Sequence, residues 1–200
     1  MRIVLRSLLA FVALQGLALV TPGLLSSPTK GPTAESCLAC TESTEAQACH
    51  RIAIDLLEVR DLSRAIAVEE RVFSLRPEDP EVAATLAKMH RAGTRDVVRA
   101  IKLYHEALYA APGYPPALLG LGEIMKEKGE LAIAERYFAR GARENPGLPL
   151  FSVRLAEVLV ESGRSRQAQP ILDEIIAKWP DSGEAAAARK LMTRTSLAGQ

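Results

Sequence analysis

The segment Cys37-Leu38-Ala39-Cys40 is the one stretch of this 200-residue chain whose residue types and spacing could carry a covalent reaction. A Cys-x-x-Cys pair can close a small disulfide, or act as a dithiol when the first thiolate is stabilised. Redox pairs of that kind normally sit at a helix start following a strand, and no strand pattern precedes Cys37. A bridge between Cys37 and Cys40 is the milder expectation, and a thiol-exchange centre the sharper one. Covalent haem attachment requires a histidine directly after the second cysteine, where Thr41 stands. Cys37, Cys40, Cys49 and His50 are zinc-ligand types, but neighbouring residues on a helix point about 100° apart, which argues against a closed site. Cys49 falls where a helix should pack inward, so a buried, apolar-type thiol is the expected role. His90 and His105 stand alone at helical positions, and His105-Glu106 lacks the second histidine of a metalloprotease helix. No Gly-rich phosphate loop, nucleophile–base ordering or paired-carboxylate motif occurs. The residues predict no enzyme activity, no cofactor, no metal and no small-molecule substrate.

The elements that position these residues follow from composition and pattern. The 48% of hydrophobic residues against 24% charged is enough to build a core. Phe, Tyr and Trp total nine, while Ala, Leu, Glu and Arg dominate, which favours helices over sheets. A net charge of +1 gives no field that would select a nucleic acid. Residues 1–25 are different in kind. Arg2 and Arg6 precede an apolar run from Ser7 to Val20, Pro22-Gly23 ends it, and no acid occurs before Glu35. This is the layout of an export signal. Ile3 to Leu25 could equally remain as a membrane anchor, with Arg6 snorkelling. Thr21-Pro22-Gly23 is a poor cleavage site, and both readings stand. The expected location is an exported one, in a bacterial periplasm or anchored in the inner membrane facing it. Residues 26–45, rich in Ser, Thr, Pro and Gly, read as a flexible spacer.

The rest of the chain is periodic. Pro77, Pro112, Pro146 and Pro180 follow similar apolar helices at steps of 35, 34 and 34 residues. Ala100, Ala134 and Ala168 keep the same step, with Ala65 one residue further back, and so do Tyr104, Phe138 and Leu172. Within 115–148, Leu118, Leu121, Ile124 and Met125 mark one amphipathic helix that Gly129 stops. Ile133, Ala134, Tyr137, Phe138 and Ala142 mark a second, which Asn145-Pro146-Gly147 ends. Gly122 and Ala134 are small so that paired helices can approach while Phe138 fills the gap. A single pair cannot bury both of its faces, so copies must stack.

This pattern resembles the tetratricopeptide repeat, a 34-residue helix–turn–helix with small residues at its eighth and twentieth positions and proline at its thirty-second. The resemblance covers 46–182 as units 46–79, 80–114, 115–148 and 149–182. It has departures: one extra residue near Gly93-Thr94, Pro170 near the start of the last unit's second helix, where it would delay or kink that helix, and Glu69 at the usual aromatic position. Residues 183–200 would add a capping helix and tail. The fold class expected is therefore all-α, a solenoid of about four repeats with a C-terminal cap, behind the apolar N-terminal segment.

The family likeness implies a protein or peptide partner held in a concave groove by the first helix of each unit. Carried over position by position, the lining includes Arg51 and Glu58, then Lys88 and Arg91, then Glu123, Lys126 and Glu127, then Arg154, Glu157 and Glu161. The same carry-over places His50, Ile54, Leu119 and Val153 there. Chaperone adaptors of the family hold a terminal carboxylate with paired asparagines; Ile54, Lys88, Glu123 and Glu157 occupy those ninth positions here, which argues against that role. The expected function is a non-enzymatic binding scaffold, exported or membrane-tethered, serving an envelope assembly. Two rivals are a thiol-handling maturation factor using Cys37 and Cys40, and a self-associating structural subunit.

Overall fold

A computed structural model describes residues 33–41 and 43–198, which are helical throughout apart from turns and caps. The apolar segment 1–25 and residues 26–32 of the expected spacer lie outside the described residues. A short helix, α1 (Ala34–Ala39), comes first. Four antiparallel pairs follow: α2 (Ser43–Glu58) with α3 (Leu62–Leu75), α4 (Pro80–Met89) with α5 (Val97–Ala110), α6 (Pro115–Glu127) with α7 (Leu131–Glu144), and α8 (Pro149–Glu161) with α9 (Ser165–Lys178). The last helix, α10 (Gly183–Ala198), packs on α8 and α9. Among the described residues, no helix is long and apolar enough to cross a membrane.

Local chemistry explains the boundaries. Asp61, Asp79 and Asp96 cap α3, α4 and α5, each accepting a bond from a backbone N–H of the first turn. Pro80, Pro115 and Pro149 start the first helices of pairs two to four, where a missing N–H costs nothing. Each turn within a pair needs one residue in the left-handed region: Arg60, Arg95, Gly129 and Gly163 have φ of 61°, 59°, 76° and 75°. Glycine takes that conformation without strain; arginine does not. The extra residue of the second pair is absorbed by a π-helical turn, His90–Thr94, between Met89 and Arg95. Pro170 does not delay its helix: α9 begins at Ser165 and carries the proline within, on an exposed position.

The pairs stack through three apolar clusters among the described residues. The first joins α1, α2 and α3 to the start of α4 through Cys37, Ala53, Val68, Val72 and Val82. The second runs from α4 to α8 and holds Leu86, Tyr104, Leu121, Phe138 and Phe151. The third closes the end, with Ala185, Ala188 and Leu191 of α10 against Val153, Ala156 and Leu172. Helices meet where one is stripped to glycine. A Cβ on Gly122 would lie 2.4 Å from the Phe138 ring, and one on Gly141 2.1 Å from that of Phe151. Burying each ring contributes about 1.5–3 kcal/mol, and a methyl at either glycine would displace it.

The N-terminal end corrects two expectations. Part of the expected spacer is ordered: Thr33 caps α1 through a reciprocal bond pair with Ser36, and Ala34 and Cys37 bury one face. The disulfide is not Cys37–Cys40. It joins Cys37 to Cys49 on α2, with Cα atoms 5.4 Å apart, because α1 lays Cys37 against α2 while Cys40 ends the helix. Cys40 is buried in the same cluster, and its carbonyl accepts a bond from Arg71 Nε at 2.7 Å. The pairing takes Cys37 out of a Cys37–Cys40 dithiol, and the geometry for thiol exchange at that pair is lost. Among the described residues no group of His, Cys, Asp or Glu could hold a metal ion.

Candidate functional site

The first helices of successive pairs line one face, and the sequence-derived charges gather there. Arg91, in the π-helical turn that follows α4, bonds Glu127 of α6. Arg154 of α8 lies 2.8 Å from Glu123 of α6 and bonds Glu157 at 3.0 Å. Lys126 of α6 reaches Glu157 at 2.9 Å and Glu161 at 3.1 Å. Seven of the expected lining residues thus make a cross-helix ladder in two separate parts, Arg91 with Glu127 and a network of Glu123, Lys126, Arg154, Glu157 and Glu161. Burial works against the charge on Lys126, but its bonds to the two carboxylates outweigh that and raise its pKa. Burial likewise opposes the Glu157 carboxylate, and Lys126 and Arg154 together hold its pKa below the ordinary value. Half-buried pairs of this kind contribute about 0–1 kcal/mol each, so their main effect is to fix which charges remain open to a visitor.

Two cavities share Arg154. The larger, about 660 Å³, has a floor of Leu119, Pro115, Leu150 and Phe151, with Lys88 and Arg91 at its α4 side and Glu184 of α10 at its other. Tyr104 enters the wall because Gly120 makes room for its ring. The smaller, about 420 Å³, lies between α8 and α10 and adds Lys190 and Arg194 to Lys126 and Glu161. Arg51 and Glu58 are exposed on α2 and line neither cavity. Val153 is buried in the core, and His50 is buried against α3. Leu148, Glu184, Lys190 and Arg194 were not anticipated from sequence. The last had a signal: the 34-residue step carries Lys126 through Val160 to Arg194, so α10 offers the face of a further first helix.

A second polar site lies under the first pair. Glu69, fully buried at the usual aromatic position, accepts from His50 Nδ1 at 2.7 and 3.0 Å. His50 Nε2 is buried without a hydrogen bond, 3.8 Å from Glu81. The bond to Glu69 raises the His50 pKa, and burial raises that of Glu69.

The comparisons fit this geometry. A tetratricopeptide repeat model matches residues 92–149 and 127–194, together just over half of the chain. The chain belongs to the tetratricopeptide repeat family. No curated protein sequence matches it significantly. Among solved structures, a thermophilic tetratricopeptide protein of Thermus thermophilus superposes with a TM-score of 0.62 at 17% identity, over 74% of this chain and 81% of that one. MamA of Desulfovibrio magneticus RS-1 gives 0.59 at 17% identity, over 68% and 78%, and MamA of strain MSR-1 gives 0.54 at 15%, over 81% and 86%. At these identities the likeness is one of fold. This tetratricopeptide array has the architecture of a protein-interaction scaffold, whose stacked first helices present a continuous surface.

Proposed function

We propose that the protein is a non-enzymatic scaffold that seats a segment of a partner protein along α4, α6, α8 and α10, outside the cytoplasm or tethered to a membrane facing that space. The observation that carries the groove reading is the large cavity with an apolar floor crossing three repeats, held in shape by the ladder from Arg91 to Glu161. Export is supported by two features. Arg2 and Arg6 precede the apolar run, and a Cys37–Cys49 bridge persists in an oxidising compartment.

Leu148 provides the test. It lines the larger cavity, is 45% exposed, and stands at the N-cap of α8 with no side-chain cap bond. Aspartate there puts a charge beside the apolar floor while supplying a good cap, so folding should not suffer. In affinity capture from extracts of the source cells, proteins retained by the intact chain should be lost with Leu148→Asp at unchanged melting temperature. Identical captures from both forms would remove the groove from the function.

A further inference from the structure

The charges of the groove divide into those already satisfied and those still open. Arg91, Lys126 and Arg154 are answered by glutamates of neighbouring helices. Lys88, Lys190 and Arg194 line the cavities with no ion-pair partner among the described residues, and Glu184 is the one lining anion in that position. The open cations are not scattered. Lys88 stands at the α4 end of the larger cavity, Lys190 and Arg194 in the smaller cavity against α10, and the apolar floor with Leu119 and Leu150 belongs to the helices between them. The chain's near-zero net charge makes this local excess a property of the groove and not of the whole surface.

We infer that the groove takes an acidic peptide segment, in which a bulky apolar side chain is flanked on both sides by carboxylates. The inference rests on the groove reading above and adds the chemistry of the occupant. The apolar side chain would fill the larger cavity, where water is bound poorly. One flanking carboxylate would meet Lys88, and the other Lys190 and Arg194. The ladder contributes selectivity by having no cation to spare: Arg154 and Lys126 are held by Glu123, Glu157 and Glu161, so a carboxylate placed mid-groove would face anions, and acids are accepted only at the two ends. A basic segment would find only Glu184 open to it.

A random-peptide library, displayed with both ends blocked by its carrier, can be selected on the intact chain and counter-selected on Leu148→Asp. Recovered sequences should carry Asp or Glu on both sides of a Leu, Ile, Met or Phe. Synthetic copies should lose affinity by about tenfold or more on Lys88→Glu, and again on Lys190→Glu with Arg194→Glu, because attraction becomes like-charge repulsion. Recovery of neutral or basic sequences that still require Leu148 would overturn the acidic assignment and leave the groove reading standing. Sequences indifferent to Leu148→Asp, or no enrichment at all, would remove both. Acidic peptides unaffected by the charge reversals would also overturn the assignment, since contact with Lys88, Lys190 and Arg194 is its basis.

Discussion

Glu69 sits where these repeats ordinarily place an aromatic ring, and a buried carboxylate there requires a partner. His50 supplies it, so the first pair replaces a packing contact with a hydrogen-bonded one. The pH dependence follows from the direction of both shifts. The His50 pKa lies above its ordinary 6.5, through the bond to Glu69, and that of Glu69 above its ordinary 4.5, through burial. This pair therefore binds more protons in the folded state than in the unfolded chain above pH 4.5, and its contribution falls as pH rises through that value and past 6.5. Glu69→Gln keeps an acceptor for His50 but removes the titrating carboxylate. The difference in melting temperature between the intact chain and Glu69→Gln should shift in the variant's favour as pH is raised from about 5 to about 8. A difference that stays constant with pH would show that the pair does not titrate in this range. His90, whose pKa burial and Arg99 lower, contributes with the opposite sign, and it cancels in the comparison.

At the scale of helices, the approach of α7 to α8 is set by Gly141. Alanine is the better helix former by about 1 kcal/mol, so on propensity alone Gly141→Ala should stabilise α7. The added methyl would meet the ring of Phe151, itself only 2% exposed, and overpacking of that kind costs about 1–3 kcal/mol. A net loss is expected, visible as a fall of several degrees in melting temperature; an unchanged or higher value would mean that the stack can yield at this joint. The same helix logic marks what could be read in advance. The period of small, aromatic and proline positions revealed the pairs, since each is a local demand repeated in every copy. Even the extra residue near Gly93 was visible, although not the π-helical turn that absorbs it. The ladder was not visible, because Lys126 and Glu157 are 31 residues apart and meet only once α6 and α8 are stacked. Nor was α1, a helix of 6 residues whose stability comes from docking on α2 and α3 and not from any periodicity of its own.

At the scale of the whole molecule, the two ends of the array are closed by different means. The C-terminal end is closed by burial alone, through Ala185, Ala188 and Leu191 of α10. At the N-terminal end a 6-residue helix offers little area, and a covalent bond across 12 residues of separation does the holding. Closing a loop of that length is worth about 2–4 kcal/mol by its effect on the unfolded chain. Cys37→Ser should therefore lower the melting temperature under oxidising conditions, and a reductant should lower that of the intact chain to match. Thiol trapping in intact source cells should find Cys37 and Cys49 protected from alkylation until reductant is added; modification of both without it would place the chain in a reducing compartment. The bridge also fixes how the array carries tension. A pull arriving from the residues before α1 crosses from Cys37 straight into α2 at Cys49, and the intervening 38–48 bear none of it. With a partner gripping the groove from α4 to α10, the strained part of the molecule runs from Cys49 through every pair to α10. An array loaded in this way is strongest where the pull enters, at the staple, and gives first at α10, which burial alone holds.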